Sequence, residues 1–221
     1  QSRLIFYLLL LVPVVVVSGM PREMGWHLGR LLQKEIRTFV PSTVEAALQR
    51  LDLTEKELSA VWDATSAYTD DRLEQELLGI AEGAGLPLRA LQHVHCLPLL
   101  MPYSCSSIAA WGAATVDGHL YQTRNLDWDL EIGAHEFPAV VFYRPTRGTP
   151  HVVPTFAGFA GAHCGMNAAG IVLTEMGDSP ERETPYNRHA PHFTARFRQL
   201  LYDAQSLTDA LVMFRALPMT K

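Results

Sequence analysis

Cysteine is scarce in this chain. Its 221 residues hold three thiols, Cys96, Cys105 and Cys164, with no CxxC or comparable spacing. Three cannot all pair with one another, which argues against a disulfide scaffold and against a structural zinc site. Basic clusters are lacking too. Lys and Arg number 18 against 23 Asp and Glu, a net charge of −5, which speaks against a general nucleic-acid binder. Only 19% of residues are charged while 48% are hydrophobic, so the chain can bury a sizeable core and is not a disordered one. There is no internal repeat and no low-complexity linker. No G-x-S-x-G elbow occurs, so Ser104 or Ser106 with one of the nine histidines is a weak nucleophile option.

What is present starts with an apolar run, Leu4 to Val17 (LIFYLLLLVPVVVV), after a single Arg3. It matches a signal-peptide h-region in length and falls short of the roughly 17 to 25 residues of a bilayer span. Pro13 splits it, and no A-x-A-like cleavage site follows. An export signal or membrane anchor and a core strand PVVVVSG leading into a helix fit about equally well. Localisation therefore stays open between exported or membrane-associated and cytoplasmic. Gln1 stands where a Met would begin a gene product, and Lys221 follows the last predicted helix with no closing strands. The true start and the C-terminal part of the domain are expected to lie outside this sequence.

From Arg22 to about Leu97 the pattern is helical. Gly25, Leu28, Leu31, Leu32, Ile36 and Phe39 recur at three- and four-residue steps. Ser42 and Thr43 read as an N-cap signal with a stop near Asp52. Thr54 with Glu57 forms a capping box for a helix from Glu55 to about Tyr68. Asp70 caps the next, with Leu73, Leu77, Leu78 and Ile80 giving way to Gly83 and Gly85. Pro87 suits the first turn of a short helix through Leu91.

Beyond Pro102 the texture becomes β-like. Ser106 to Thr115 and His119 to Arg124 read as strands of a hairpin about Asp117-Gly118. Further strands are expected at Ala139–Tyr143, Val152–Phe156 and Ile171–Glu175, a loop at Asn187–Pro191, and helices over Phe193–Ala204 and from Ser206 or Leu207 to Leu217. Helices, then antiparallel strands, then helices describe an α+β domain with a helical leader.

Cys105 sits at the mouth of a predicted strand beside small residues. A free cysteine is by default a buried hydrophobe. Against that stands Arg124-Asn125-Leu126-Asp127 on the returning strand, since an Arg–Asp pair can orient a thiol and favour its thiolate. A turn centred on Asp117-Gly118 would place Arg124 opposite Trp111 and Asp127 opposite Ile108. Cys105 would then lie roughly 10 Å beyond Ile108, so contact would require a bulge or bend.

The stretch CSSIAAWGAATVDGHLYQTRNLDW (Cys105 to Trp128) resembles the signature of cysteine N-terminal-nucleophile (Ntn) hydrolases. Its nearest likeness is to the isopenicillin N acyltransferase-like branch, with acid ceramidase and bile-salt hydrolase as more distant relatives. GMPREMGWHLGRLL (Gly19 to Leu32), GIAEGAGLPLRAL (Gly79 to Leu91), TFAGFAGAHCGMNAAGIVLTEM (Thr155 to Met176) and ARFRQLLYDAQSLTDAL (Ala195 to Leu211) are similar to that family's other blocks, in the same order. The resemblance implies an αββα sandwich, with residues 1–104 as leader and 105–221 as an incomplete catalytic domain. It implies self-cleavage between Ser104 and Cys105, with Cys105 as the new N-terminal nucleophile. Arg124 and Asp127 would hold and polarise that cysteine, Asp127 near its nitrogen and Arg124 near its sulfur. Asn167 would line the oxyanion region. The family's later asparagine and arginine have no counterpart within these residues. The implied reaction breaks a linear amide bond of a small-molecule or lipid amide through an acyl-thioester, without metal or cofactor. The two fragments of the precursor would stay associated.

Other readings compete. His93, His95 and Cys96 with His163 and Cys164 could suggest a metal site, but adjacent strand positions face opposite ways and the spacing is unusual. Trp111 and Trp128 are expected to cover the core, and the Glu55, Glu57, Asp70 and Asp71 charges to be solvated. A catalytically silent relative that keeps the fold as a membrane-anchored or interaction protein is the alternative function.

Overall fold

A computed structural model describes residues 12–177, 186–216, 218 and 220. Residues 4–11 of the apolar run lie outside the described residues. Its remainder forms strand β1 (Val14–Gly19), which pairs in parallel with β4 (Pro138–Pro145). The strand part of the core-strand expectation holds here, but of its residues only Val17 is buried, while Val14 and Val16 are exposed.

Five helices follow: α1 (Pro21–Leu31), α2 (Gln33–Leu51), α3 (Glu55–Ser66), α4 (Asp71–Ala84) and α5 (Leu88–Leu100). Among the described residues no helix is long and apolar enough to cross a membrane. Glycines set the closest contact. A Cβ on Gly25 or Gly29 of α1 would collide with the backbone of Glu76 or Ile80 on α4, and one on Gly79 or Gly83 with that of Arg22 or Trp26. The two helices thus cross backbone to backbone, which only glycine allows. Thr54 and Glu57 form the expected capping box, Asp70 caps α4, and Gly85 ends it in the left-handed conformation.

Two helical expectations need correction. Ser42 and Thr43 cap nothing; α2 runs through Pro41, and the Ser42 hydroxyl bonds back to the Thr38 carbonyl while Thr43 donates to the Ile132 carbonyl. Burial of Val40 and Val44 on either side of the proline keeps the helix on the core. The helix after Pro87 does not end at Leu91 but continues to Leu100, buried from Leu91 to Leu99.

The main sheet has the order β1-β4-β5-β6-β7, with β5 (His151–Phe156), β6 (Cys164–Asn167) and β7 (Val172–Thr174) antiparallel to their neighbours. Val17, Val141, Tyr143 and Val153 face the buried core shared with the helices. Its opposite face carries Val14, Val16, Phe142 and Met166, all exposed. Helices α6 (Phe193–Asp203) and α7 (Leu207–Arg215) close the described part, α6 lying beside β6. Fully buried Arg198 of α6 stacks 3.5 Å above the Tyr143 ring, pairs with Glu76 at 3.0 Å and donates to His151 Nε2 at 2.8 Å. Mixed helices and strands in this order make an α+β domain.

Strands β2 (Ser104–Ala110) and β3 (Tyr121–Asp127) form a separate antiparallel hairpin. The hairpin was expected, but its register differs from the expectation by four residues: Arg124 faces Ser107 and Asp127 faces Ser104. The connection is not a two-residue turn. Gly112, at φ 57°, opens a 3₁₀ turn, and the Gly112 amide closes a wide loop on the Gly118 carbonyl. Trp111 consequently stands 64% exposed and covers no core, whereas Trp128 packs beside Tyr103, Phe156 and His163.

Candidate active site

The observed register removes the need for a bulge, since pairing runs unbroken from Ser104↔Asp127 to Ala110↔Tyr121. Alternation then sorts the hairpin. Cys105, Ser107, Gln122, Arg124 and Leu126 turn inward and are half-buried, while Ser104, Ser106, Asn125 and Asp127 are exposed. Cys105 lies opposite Leu126, and Arg124 is its inward diagonal neighbour.

Arg124 Nη2 donates to Cys105 Sγ at 3.1 Å, and the Gly177 amide donates to the same sulfur at 3.4 Å. Arg124 is itself held from behind. Its Nε donates to the Glu175 carbonyl at 3.0 Å and its Nη2 to Glu175 Oε2 at 2.8 Å, with both side chains less than a tenth exposed. Tyr103 donates its hydroxyl to Glu175 Oε1 at 2.8 Å, and His163 Nδ1 lies 3.6 Å from Oε2. Burial pushes the Glu175 carboxyl up, but the neighbouring His163, the Tyr103 hydroxyl and the Arg124 charge outweigh it and hold the group below its ordinary value. Desolvation dominates at His163, lowering its pKa and keeping the ring neutral. Such a set places two N–H donors, the Arg124 guanidinium and the Gly177 amide, on a sulfur that stands at the start of a strand.

The remaining expected residues are placed elsewhere. Asp127 is exposed on the other face of the hairpin, opposite Ser104. Asn167 is buried, and its amide is committed: Nδ2 donates to the Leu201 and Ala204 carbonyls, and Oδ1 accepts from the Ala169 and Ile171 amides. It closes the β6–β7 turn and ties it to α6. Of the four expected catalytic residues the fold therefore brings Cys105 and Arg124 together, and not Asp127 or Asn167. Glu175, Tyr103 and Gly177 were not anticipated. Glu175 had a signal, since an acid ending the apolar run Ile171 to Glu175 costs desolvation unless a cation receives it.

Cys96 is inert by contrast: burial pushes its thiol up, and its sulfur contacts the Leu58 and Gln92 carbonyls. Burial also pushes Cys164 up. His93 contacts the Ser59 hydroxyl, and His95 Nε2 accepts the Ala160 amide. Among the described residues no three His, Cys, Asp or Glu side chains gather as a metal cage. Beside Arg124 a cavity of about 210 Å³ opens between the hairpin and β5, lined by Leu126, Phe156, His163 and Cys164 among others.

No protein-family model matches the chain. It is similar to protein dcd1B of Dictyostelium discoideum, with 29% identity over 228 residues covering 90% of this chain and 44% of that protein. Protein dcd1A of the same organism is 25% identical over 196 residues, 71% of this chain and 42% of that protein. An uncharacterized protein of Archaeoglobus fulgidus is 24% identical over 229 residues, 90% of this chain and 38% of its own length. The chain spans about two fifths of the length of these relatives.

Proposed function

We propose that this chain carries the leader and nucleophile of a self-processing cysteine Ntn amide hydrolase or acyltransferase, resembling the isopenicillin N acyltransferase-like proteins. The observation that carries the reading is the Cys105 sulfur at a strand mouth, held by the Arg124 guanidinium and the Gly177 amide, with Glu175 behind the arginine. In an αββα sandwich the exposed Val14, Val16, Phe142 and Met166 face would receive the second sheet.

In the first stage Cys105 Sγ attacks the Ser104 carbonyl carbon. The C–N bond to Cys105 breaks, its nitrogen takes the thiol proton, and a thioester forms. Water then hydrolyses that ester, releasing the Ser104 carboxylate and leaving Cys105 with a free thiol and α-amino group. An α-amino group titrates at about 7.7–8.0 and serves as general base beside its own thiol. In the second stage the thiolate attacks an amide carbonyl, the protonated amine leaves, and the acyl-thioester passes to water or an acceptor amine. Arg124 stabilises negative charge on the sulfur between transfers. Removing Ser104 from the ladder would leave Asp127 next to the new ammonium group. An oxyanion role for Asn167 would require its release from Leu201 and Ala204.

The test is mass spectrometry of the full-length protein. Two fragments are expected, the second beginning at Cys105, with none in Cys105→Ala; a thiol probe should label Cys105 above Cys96 and Cys164. An uncut protein with an unreactive Cys105 would overturn the reading in favour of a silent relative.

A further inference from the structure

Tyr103 stands two residues before the nucleophile, on the leader side of the proposed scissile bond, and is almost completely buried. Strand alternation gives it the same inward direction as Cys105, while Ser104 between them is exposed. Its surroundings are the surroundings of Cys105. The carboxylate that accepts the Tyr103 hydroxyl at 2.8 Å also accepts Arg124 Nη2 at 2.8 Å, and that nitrogen lies 3.1 Å from Cys105 Sγ. Gly177 repeats the pattern. Its amide points at Cys105 Sγ at 3.4 Å, and its missing side chain makes room for the Tyr103 ring, because a Cβ there would lie 2.5 Å from Tyr103 Cε2. Two residues of one short strap, Glu175 and Gly177, therefore each hold both flanks of the Ser104–Cys105 peptide.

The geometry points to Tyr103 as a positioning residue for self-cleavage: clamped by Glu175 and Gly177, it fixes the register in which the Ser104 carbonyl is presented to the Cys105 sulfur. A buried tyrosine that merely filled space would need one acceptor for its hydroxyl. It would not need that acceptor to hold the nucleophile's own cation, nor a glycine shared with the nucleophile's sulfur. Misplacement of reacting atoms by about 1 Å can cost on the order of 100-fold in rate, so a clamp on both flanks of a scissile bond has leverage over the reaction. The inference rests on the self-processing reading above and adds to it a residue of the leader.

Glu175 faces Arg124 from β3, His163 from the segment before β6, Cys164 of β6, and Tyr103. The Tyr103 hydroxyl is one of the influences holding its carboxyl low, so removing that donor lets the carboxyl protonate at higher pH. A changed acid limb in the rate of self-cleavage distinguishes a clamp acting through Glu175 from simple loss of packing.

The experiment follows first-order cleavage of full-length protein, made under denaturing conditions and refolded, across pH 5 to 8. Wild type, Tyr103→Phe and Gly177→Ala are compared. Tyr103→Phe keeps the ring in its slot and is expected to cleave about 10-fold more slowly at neutral pH, with its acid limb displaced upward. Gly177→Ala should slow cleavage by at least as much, and it decides the matter should Tyr103→Phe fail to refold. Tyr103→Phe cleaving within twofold of wild type with an unchanged pH profile, or Gly177→Ala doing so, overturns the inference alone. Wild type uncut at Ser104–Cys105 overturns it together with the reading on which it rests.

Discussion

Arg124 reaches Glu175 twice, through Nε to the backbone carbonyl at 3.0 Å and through Nη2 to the carboxylate at 2.8 Å. The fork geometry of a guanidinium makes this double hold, and an ammonium could not reproduce it. The Arg124 head is therefore fixed before any ligand arrives.

Glu175→Gln keeps a hydrogen-bond acceptor but removes the charge that Arg124 answers. Alkylation of Cys105 by iodoacetamide at pH 7.5 is expected to quicken severalfold, because the Arg124 charge beside the sulfur is no longer answered by a carboxylate, while Cys96 stays unlabelled. Peptide-resolved mass spectrometry measures it, and an unchanged Cys105 rate would detach Glu175 from the Cys105 sulfur.

Gly25→Ala puts a methyl group against the Glu76 carbonyl where α1 and α4 cross. Overpacking a well-filled interior costs about 1–3 kcal/mol, and backbone on both sides places this site at the upper end. The urea midpoint should drop accordingly; a midpoint within error of wild type would mean that the helices part at little cost.

Arg198→Met leaves Glu76 buried without its cation, a loss of about 3–5 kcal/mol by comparison with other broken buried pairs. The double variant Glu76→Gln/Arg198→Met should recover part of that loss, because no unpaired charge remains. Additive destabilisation in the double variant would show that the pair contributes through packing instead.

Three buried histidines make the fold acid-sensitive. Burial lowers His95 to about 4 and His151 and His192 each to about 3, from an ordinary 6.5. The tautomers agree: His95 Nε2 accepts from Ala160, and His151 Nε2 accepts from Arg198, so both rings are neutral. The unfolded chain binds these protons near pH 6.5 and the folded one does not. Stability is thus fully present above 6.5 and lost on acidification down to about 4 for His95 and about 3 for the others, at up to about 1.4 kcal/mol per pH unit for each. Urea melts at pH 7.5 and 5.0 test this; an equal or higher midpoint at 5.0 would contradict it.

Local chemistry made much of this legible. The Thr54–Glu57 box, the Asp70 cap and Gly85 mark helix ends because each satisfies backbone groups within a few residues. Ser42 and Thr43 misled as a cap because tertiary burial of Val40 and Val44 carries α2 on through Pro41 despite one lost amide. The hairpin was legible as a pair but not in register: Asp117-Gly118 signals a turn, yet Gly112 opens the loop earlier. Four residues is an even displacement, so the inward set survived and Arg124 still reached Cys105. Glu175 was hidden because its partnership with Arg124 spans 51 positions, and no spacing rule connects them.

Strand β1 belongs to the segment before Cys105, yet it pairs with β4, beyond Cys105, from Val14↔Val140 to Gly19↔Pro145. Opening the backbone ahead of Cys105 would leave two polypeptides woven through one sheet and one core, unable to part without unfolding. It would also change the molecularity of recovery. An uncut chain regains its structure in a unimolecular step at any dilution, whereas the opened pair must first meet, so its return slows in proportion to concentration. A single broken bond would thereby turn a reversible fold into one whose persistence depends on never coming apart.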